Sequence, residues 1–423
     1  MMFWIVLTSL NSAFAEVNGL EGLQLNADVK TFFVTIHPYD HILMPPSDTA
    51  QAFLDGRIKV DWTLNDSISI EAHHVVTAGT PMYQTQLETE LQQMGVELEG
   101  GATTMMTGVG LQAPEAIDLS WQLEDTDLFL QGRTDRVFAQ ATVGKNTLRL
   151  GRQAISFGHG MVFNPMDLVQ PFSIATIDNE YKAGIDALRI ERYFGMTGQI
   201  TGVVAYSGSW DIEGMTAVLN ASTTFGWTDV SLFTGLVRSD RVVGTGVSTS
   251  VGSVGLHTDV TVTLPDPNAE SVDDPFTRLT TGAFWRPFTS SSVTAEYYYQ
   301  SLGASDSSQY LTFAQSDRYA RGELWVMGQH YASLAWAQEI TPLSSGTIAV
   351  IANIGDASML LSPSWTLSVS DEVQLVAGGY VGLGERPTPT SVTEILLDSN
   401  GMSVPSEFGM LPGSGFVQLR SYF

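Results

Sequence analysis

The stretch Arg57-Ile58-Lys59-Val60-Asp61-Trp62-Thr63-Leu64 alternates without a break. Successive side chains of a strand point to opposite faces. Ile58, Val60, Trp62 and Leu64 therefore share one face, and Arg57, Lys59, Asp61 and Thr63 share the other. Apolar residues on one face and full charges on the other suit a wall with lipid outside and water inside. The turn Asn65-Asp66 follows, and alternation resumes with Ile68, Ile70, Ala72 and Val76 against Ser69, Glu71 and His73.

The pattern recurs along the chain. Leu256, Val260, Val262 and Leu264 oppose His257, Asp259 and Thr261; Val293, Ala295, Tyr297 and Tyr299 oppose Thr294, Glu296 and Gln300. At the end, Val417, Leu419 and Phe423 oppose Gln418 and Arg420. About 18 strands are expected, at 23–36, 53–64, 67–78, 133–143, 146–157, 184–194, 198–207, 214–224, 227–238, 242–252, 254–264, 277–286, 290–301, 328–340, 345–354, 358–368, 372–383 and 412–423. Short links such as Asn65-Asp66, Gly144-Lys145, Phe225-Gly226 and Ser370-Asp371 fall on one side. Long ones (37–52, 79–132, 158–183, 265–276, 302–327, 384–411) fall on the other. That asymmetry, with an even strand count, predicts an all-β, antiparallel, up-and-down transmembrane barrel. A soluble sandwich alternates too, but the number of long strands and the two chain ends favour the barrel.

Composition agrees. The 423 residues carry a net charge of -26 with only 19 Lys and Arg, 15% charged residues, 40 glycines and 10% aromatics. Low charge, abundant glycine and many aromatics fit a membrane barrel. Phe3 to Leu10 is apolar, and Ala13-Phe14-Ala15 matches a small-x-small cleavage pattern, although no Lys or Arg precedes it. Residues 1–15 are read as a signal peptide cut before Glu16, and 16–423 as the barrel. After Ala15 no window approaches the roughly 20 apolar residues of a spanning helix. The absence of cysteine excludes disulfides, thiol chemistry and lipoprotein anchoring.

One local motif is more specific. The run Leu148-Arg149-Leu150-Gly151-Arg152-Gln153-Ala154-Ile155-Ser156-Phe157-Gly158, continuing to Phe163-Asn164-Pro165-Met166-Asp167-Leu168, resembles a strand-and-loop signature of porin-like outer-membrane proteins. It is also similar to barrels of the alginate-export type. The terminal Leu419-Arg420-Ser421-Tyr422-Phe423 resembles the aromatic-ending signal read by the barrel-assembly machinery. The resemblance implies a channel or exporter of the outer membrane, with lipid, lipopolysaccharide and, through Phe423, the assembly machinery as partners.

By parity, Lys30, Arg57, Lys59, Arg136, Arg149, Arg189 and Arg420 face the lumen, as do Asp28, Asp61, Glu71, Glu191, Asp259 and Glu296. Lumen charges either set ion preference or pair and brace the wall. Arg152 breaks parity with Arg149, so a bulge is expected near Gly151. The loop 158–183 is long enough to fold inward, with Met161, Phe163, Asp167 and Phe172 as constriction residues, held by Arg149 or Arg189 pairing with Asp167 or Asp178. The loop 79–132 is the second candidate; Glu88, Glu90, Glu97, Glu99, Glu115, Asp118, Glu124, Asp125 and Asp127 make it acidic, and 85–94 reads as helical. These acids form either a solvated loop surface or a site for cations bridging to anionic headgroups.

Catalysis has little support. His37, Asp40 and His41 lie in a proline-bearing loop, and their metal-ligand types read as incidental. His73 and His74 point to opposite faces of one strand. No Gly-x-Ser-x-Gly is present. Gly244-Thr245-Gly246 precedes no helix, and no basic patch suggests nucleic acid. The expectation is a passive channel for small solutes or ions, without cofactor. Export of an anionic polysaccharide is the alternative, and an outer-membrane hydrolase a more distant one.

Overall fold

The computed structural model describes residues 21–41, 44–45, 47–80, 114–125, 128–170, 180–267, 274–388 and 403–423. The strands are β1 (Leu23–His37), β2 (Thr49–Asn65), β3 (Ile68–Gly79), β4 (Ser120–Asp125), β5 (Leu128–Val143), β6 (Asn146–Gln153), β7 (Ile185–Phe194), β8 (Gly198–Tyr206), β9 (Met215–Phe225) and β10 (Thr228–Val237). They continue as β11 (Asp240–Val251), β12 (Val254–Leu264), β13 (Phe276–Phe288), β14 (Ser291–Gln300), β15 (His330–Thr341), β16 (Ser344–Asn353), β17 (Ser358–Ser370), β18 (Val373–Leu383) and β19 (Gly413–Tyr422). Each pairs antiparallel with its neighbour, and β1 closes the ring against β19 from Asp28 opposite Tyr422 to His37 opposite Gly413. Ala27 and Phe423 complete the seam with two backbone hydrogen bonds of 3.0 and 2.7 Å.

Eighteen strands make the closed barrel. The extra one, β4, pairs only with the outer part of β5, while β6 pairs with the rest of the same edge. Closure matters because a free edge in lipid leaves backbone groups unbonded. β5 has 16 residues and β6 only eight, so β4 covers the edge that β6 leaves bare. This strand corrects the expectation of one uninterrupted loop over 79–132. Leu119, Trp121 and Leu123 do alternate with Ser120, Gln122 and Glu124, but within an acidic stretch that masked the period.

The wall is inverted relative to a soluble protein. Ile58, Trp62, Leu150, Leu232, Leu334 and Val417 stand exposed on the outside. Asp28, Lys30, Arg57, Asp259, Glu296 and Gln418 are buried inside. Leaving a large apolar side chain in water forfeits about 1.5–3 kcal/mol, so a belt of this size is tolerable only in lipid. Trp336 and Trp365 donate their indole N–H groups to Ser291 Oγ (2.9 Å) and Ser344 Oγ (2.8 Å), which fixes both rings on the outer face. Among the described residues no helix is long and apolar enough to cross a membrane.

Tight turns link the strands at one end, with Gly144 (φ 61°) and Gly226 (φ 64°) supplying left-handed positions. The other end carries the longer connections. Two of them carry short helical pieces, with α1 (Tyr310–Ala314), α2 (Asp317–Ala320) and 3-10 turns at Ser307–Gln309 and Phe408–Met410. The expected bulge lies elsewhere than Gly151. The register slips on β5, where Asp135 is skipped between the pairs His73–Arg136 and His74–Thr134. Gly151 keeps its register but takes φ 123°.

Candidate channel constriction

The loop between β6 and β7 folds into the lumen. Its start is shaped by the motif residues. Gly158 has φ 92°, and a Cβ there would lie 2.2 Å from Asn164 Oδ1. Asn164 then closes the turn: its Nδ2 donates to Phe157 O (2.7 Å) and its Oδ1 accepts from Met166 N (3.1 Å). Met166, Leu168 and Val169 bury against Ala187, Val203, Ala205 and Phe233, which line the inner face of β7, β8 and β10.

Beyond that face the loop tip reaches β12 and β14. Asp259 accepts from His159 N (2.5 Å), Gly160 N (2.8 Å) and His159 Nδ1 (2.9 Å). Glu296 accepts from Met161 N (2.6 Å), Val162 N (2.9 Å) and Phe163 N (3.0 Å), and from His257 Nε2 at 2.9 Å. The bond to Asp259 raises the His159 pKa. Phe163 stacks on Tyr298 at 4.8 Å with an interplanar angle of 8°.

The returning segment crosses to β1, β2 and β19. Glu180 pairs with Lys30 at 2.7 Å and lies 3.8 Å from Arg420. The Tyr181 ring receives Arg57 Cζ at 4.1 Å, Lys30 Nζ at 4.9 Å and Lys59 Nζ at 5.1 Å from its centroid. Such cation–ring contacts strengthen once desolvated. Arg57 also pairs with Asp135 (2.7 Å) and Lys59 with Asp28 (2.6 Å). Lys182 Nζ reaches Ile155 O (2.7 Å) and both oxygens of Asp167.

A cavity of about 630 Å³ remains between this loop and the inner face of β15 to β18. One side offers Arg136, Lys182, Asp167 and Glu180; the other offers Trp325, Ile351, Leu360, Ser362 and Tyr380. The arrangement holds polar and apolar surfaces facing each other across a narrow space.

The parity assignments need several corrections. Asp259 and Glu296 point inward, but the loop tip covers them, and both side chains are 0% exposed. They bind loop backbone instead of lining open water. Lys30, Arg57 and Glu191 are likewise buried, under Glu180 and Tyr181 for the first two and beside Arg189 for the third. Lys59, Asp61, Glu71, Arg136, Arg149, Arg189 and Arg420 are partly exposed on the inner wall. Arg149 and Arg189 do not hold Asp167. Arg149 donates to Gln140 Oε1 (2.6 and 3.1 Å), and Arg189 pairs with Glu191. Met161 is exposed at the cavity, whereas Phe163 and Asp167 are buried. Phe172, Asp178 and the helix expected over 85–94 lie outside the described residues.

Arg152 is the residue that parity could not place. It sits where β6 gives way to β4. Its guanidinium binds Thr134 O (2.7 Å), Ile117 O (2.7 Å), Glu115 (2.8 Å) and both oxygens of Asp186 (3.0 Å each). Sequence reading also missed Glu180, Tyr181, Lys182 and Asp135, whose partners are mostly remote in the chain. In the histidine loop, His37 lies 3.5 Å from Asp48. Asp61, Glu71 and His73 do come together, but Arg136 stands 3.7 Å from Glu71 and opposes a further cation.

Solved structures share this architecture. OccK5 (OpdH) of Pseudomonas aeruginosa aligns with a TM-score of 0.56 at 7% identity, over 96% of this chain and 98% of that one. A BenF-like porin from Pseudomonas fluorescens Pf-5 aligns at 0.54 and 9%, over 96% and 99%. OccAB3 of Acinetobacter baumannii aligns at 0.54 and 10%, over 96% and 100%. No protein-family model and no curated protein matches the sequence. At such identities the likeness concerns the fold: this chain is an 18-stranded barrel of the kind porin structures show, and its resemblance to alginate-export barrels rests on the short motif alone.

Proposed function

We propose that the chain is a passive channel for small solutes or ions in the outer membrane of a Gram-negative bacterium. The observation that carries this reading is the loop between β6 and β7, which touches β12 and β14 at its tip and β1, β2 and β19 at its return. A loop laid across a lumen of this size leaves a passage fit for small molecules. The apolar belt and the porin-like fold support the location. Residues 1–15 serve as the export signal, and Phe423, zipped to Ala27 at the seam, as the assembly signal. Lipid and lipopolysaccharide cover the outer face.

The lumen cations that favour export of an anionic polysaccharide are largely engaged. Lys30, Arg57, Lys59 and Arg189 each face an acidic partner. Among the described residues, that leaves no continuous positive track for a long polyanion.

Purified protein in planar bilayers should give stepwise single-channel currents. Their reversal potential in a salt gradient gives the ion preference. Folded protein that inserts and passes no current would sink the channel reading and return attention to a hydrolase.

A further inference from the structure

Five consecutive backbone N–H groups, from His159 to Phe163, all end on two wall carboxylates, Asp259 and Glu296. Backbone amides converging on a carboxylate give charge-assisted hydrogen bonds, which are the strong kind. Both carboxylates are 0% exposed, so losing either set of donors would strand a buried charge.

Two glycines make the geometry possible. Gly246 lies opposite Asp259 on β11, and a Cβ there would be 2.2 Å from Asp259 Oδ1 and 2.8 Å from His159 Nδ1. Gly282, on β13, stands between His257 on β12 and Glu296 on β14. A Cβ on it would be 2.6 Å from His257 Cε1 and 2.7 Å from Glu296 Cγ. The histidine and the glutamate therefore bond across an intervening strand through space that only glycine leaves open.

We infer that Asp259 and Glu296, seated over Gly246 and Gly282, are positioning residues that lock the loop tip to the wall and set the width of the passage. The inference rests on the channel reading. The lock holds the tip against β12 and β14, where Gly160, Met161 and Val162 form the loop's side of the cavity facing β15 to β18. It also makes the constriction a fixed part of the wall and not a swinging lid.

The test compares full-length wild type with two double variants. Asp259→Ala with Glu296→Ala removes the acceptors. Gly246→Val with Gly282→Val keeps both acids and fills their seats. Heat-modifiable migration on gels reports a closed barrel in each. Hydrogen exchange over 158–164 reports release of the tip, and bilayer conductance and liposome swelling report width. Both double variants should exchange faster, conduct about twofold more or greater and admit larger sugars. If neither variant forms a barrel, the single variants Asp259→Asn and Glu296→Gln, which keep one acceptor oxygen each, should show a smaller rise. Faster exchange with unchanged conductance and size limit would mean that the contacts merely brace the fold, and would overturn the inference. Unchanged exchange in a closed barrel would overturn the lock itself. A wild type silent in bilayers would instead remove the channel reading, with exchange still deciding whether the tip is locked.

Discussion

Lys182 Nζ lies 2.6 and 2.7 Å from the two oxygens of Asp167, so the returning arm of the lumen loop is clamped to its outgoing arm. Burial raises the Asp167 pKa from 3.8 to about 6 even beside this lysine, and burial lowers that of Lys182. An acid whose pKa rises on folding takes up a proton, so its contribution to stability falls as pH climbs from 3.8 to about 6. Lys182→Met should loosen the loop by roughly 1–3 kcal/mol, because Asp167 loses its partner in a buried site. Asp167→Asn should cost less and flatten the pH dependence. Protection of amides in residues 155–169, relative to the intrinsic exchange rate at each pH between 4 and 7, checks both; equal effects of the two changes would count against the clamp.

Arg152 joins β5, β7 and the segment before β4 through one buried guanidinium. Its removal leaves Asp186 and Glu115 without their cation. Arg152→Ala should cost roughly 3–5 kcal/mol. Arg152→Lys should recover little of that, since an ammonium cannot reproduce the planar fork. Urea unfolding followed by gel mobility measures the difference, and a lysine variant as stable as wild type would contradict the assignment.

On the outer wall, Leu232 is 61% exposed near the middle of β10. Leu232→Arg should destabilise the inserted barrel by about 2–4 kcal/mol, and Val60→Arg should lower assembly in the same way. Lys59→Ala is not a silent control, because it strands Asp28, which is 2% exposed. Folding yields into lipid vesicles decide this, and tolerance of Leu232→Arg would place that face away from lipid.

A second buried network ties segments at the end that carries the longer connections. Glu407 accepts from Met327 N (2.9 Å), Asn353 Nδ2 (2.8 Å) and Tyr331 Oη. Asp356 accepts from Glu407 N (2.7 Å) and Tyr310 Oη (2.8 Å), and Tyr319 packs nearby. Burial pushes the Glu407 pKa from 4.5 up to about 7, with Asp356 adding to the rise. Folding therefore favours the protonated acid, and stability should be lost as pH rises from 4.5 through about 7. Protection of amides over 403–412, taken relative to the intrinsic exchange rate at each pH, should be lower at pH 8 than at pH 5 in wild type and nearly equal in Glu407→Gln. A wild type with no such pH trend would refute the shift.

The sequence by itself determined the wall. Alternation at Arg57–Leu64 and in the strands after it specifies two unlike faces, and each strand carries that information locally because side chains repeat every second residue. The tight turns and the closing segment were legible for the same reason. β4 was harder to read, since its period lay inside an acidic stretch, and Arg152 escaped because its partners Glu115, Ile117, Thr134 and Asp186 come from three separate segments.

Only the tertiary structure decided what each lumen charge does. Parity places Asp259, Glu296, Lys30 and Arg57 inside but says nothing of what lies over them. Their partners are about 100 to 150 residues away in the cases of Asp259 with Gly160, Glu296 with Phe163, and Lys30 with Glu180. The loop motif around Asn164 signals a turn, and its direction across the lumen depends on carboxylates and glycine gaps on β11 to β14. Hydrophobic period is a property of one strand, whereas a charge finds its partner only when the ring closes and brings distant strands around the same loop.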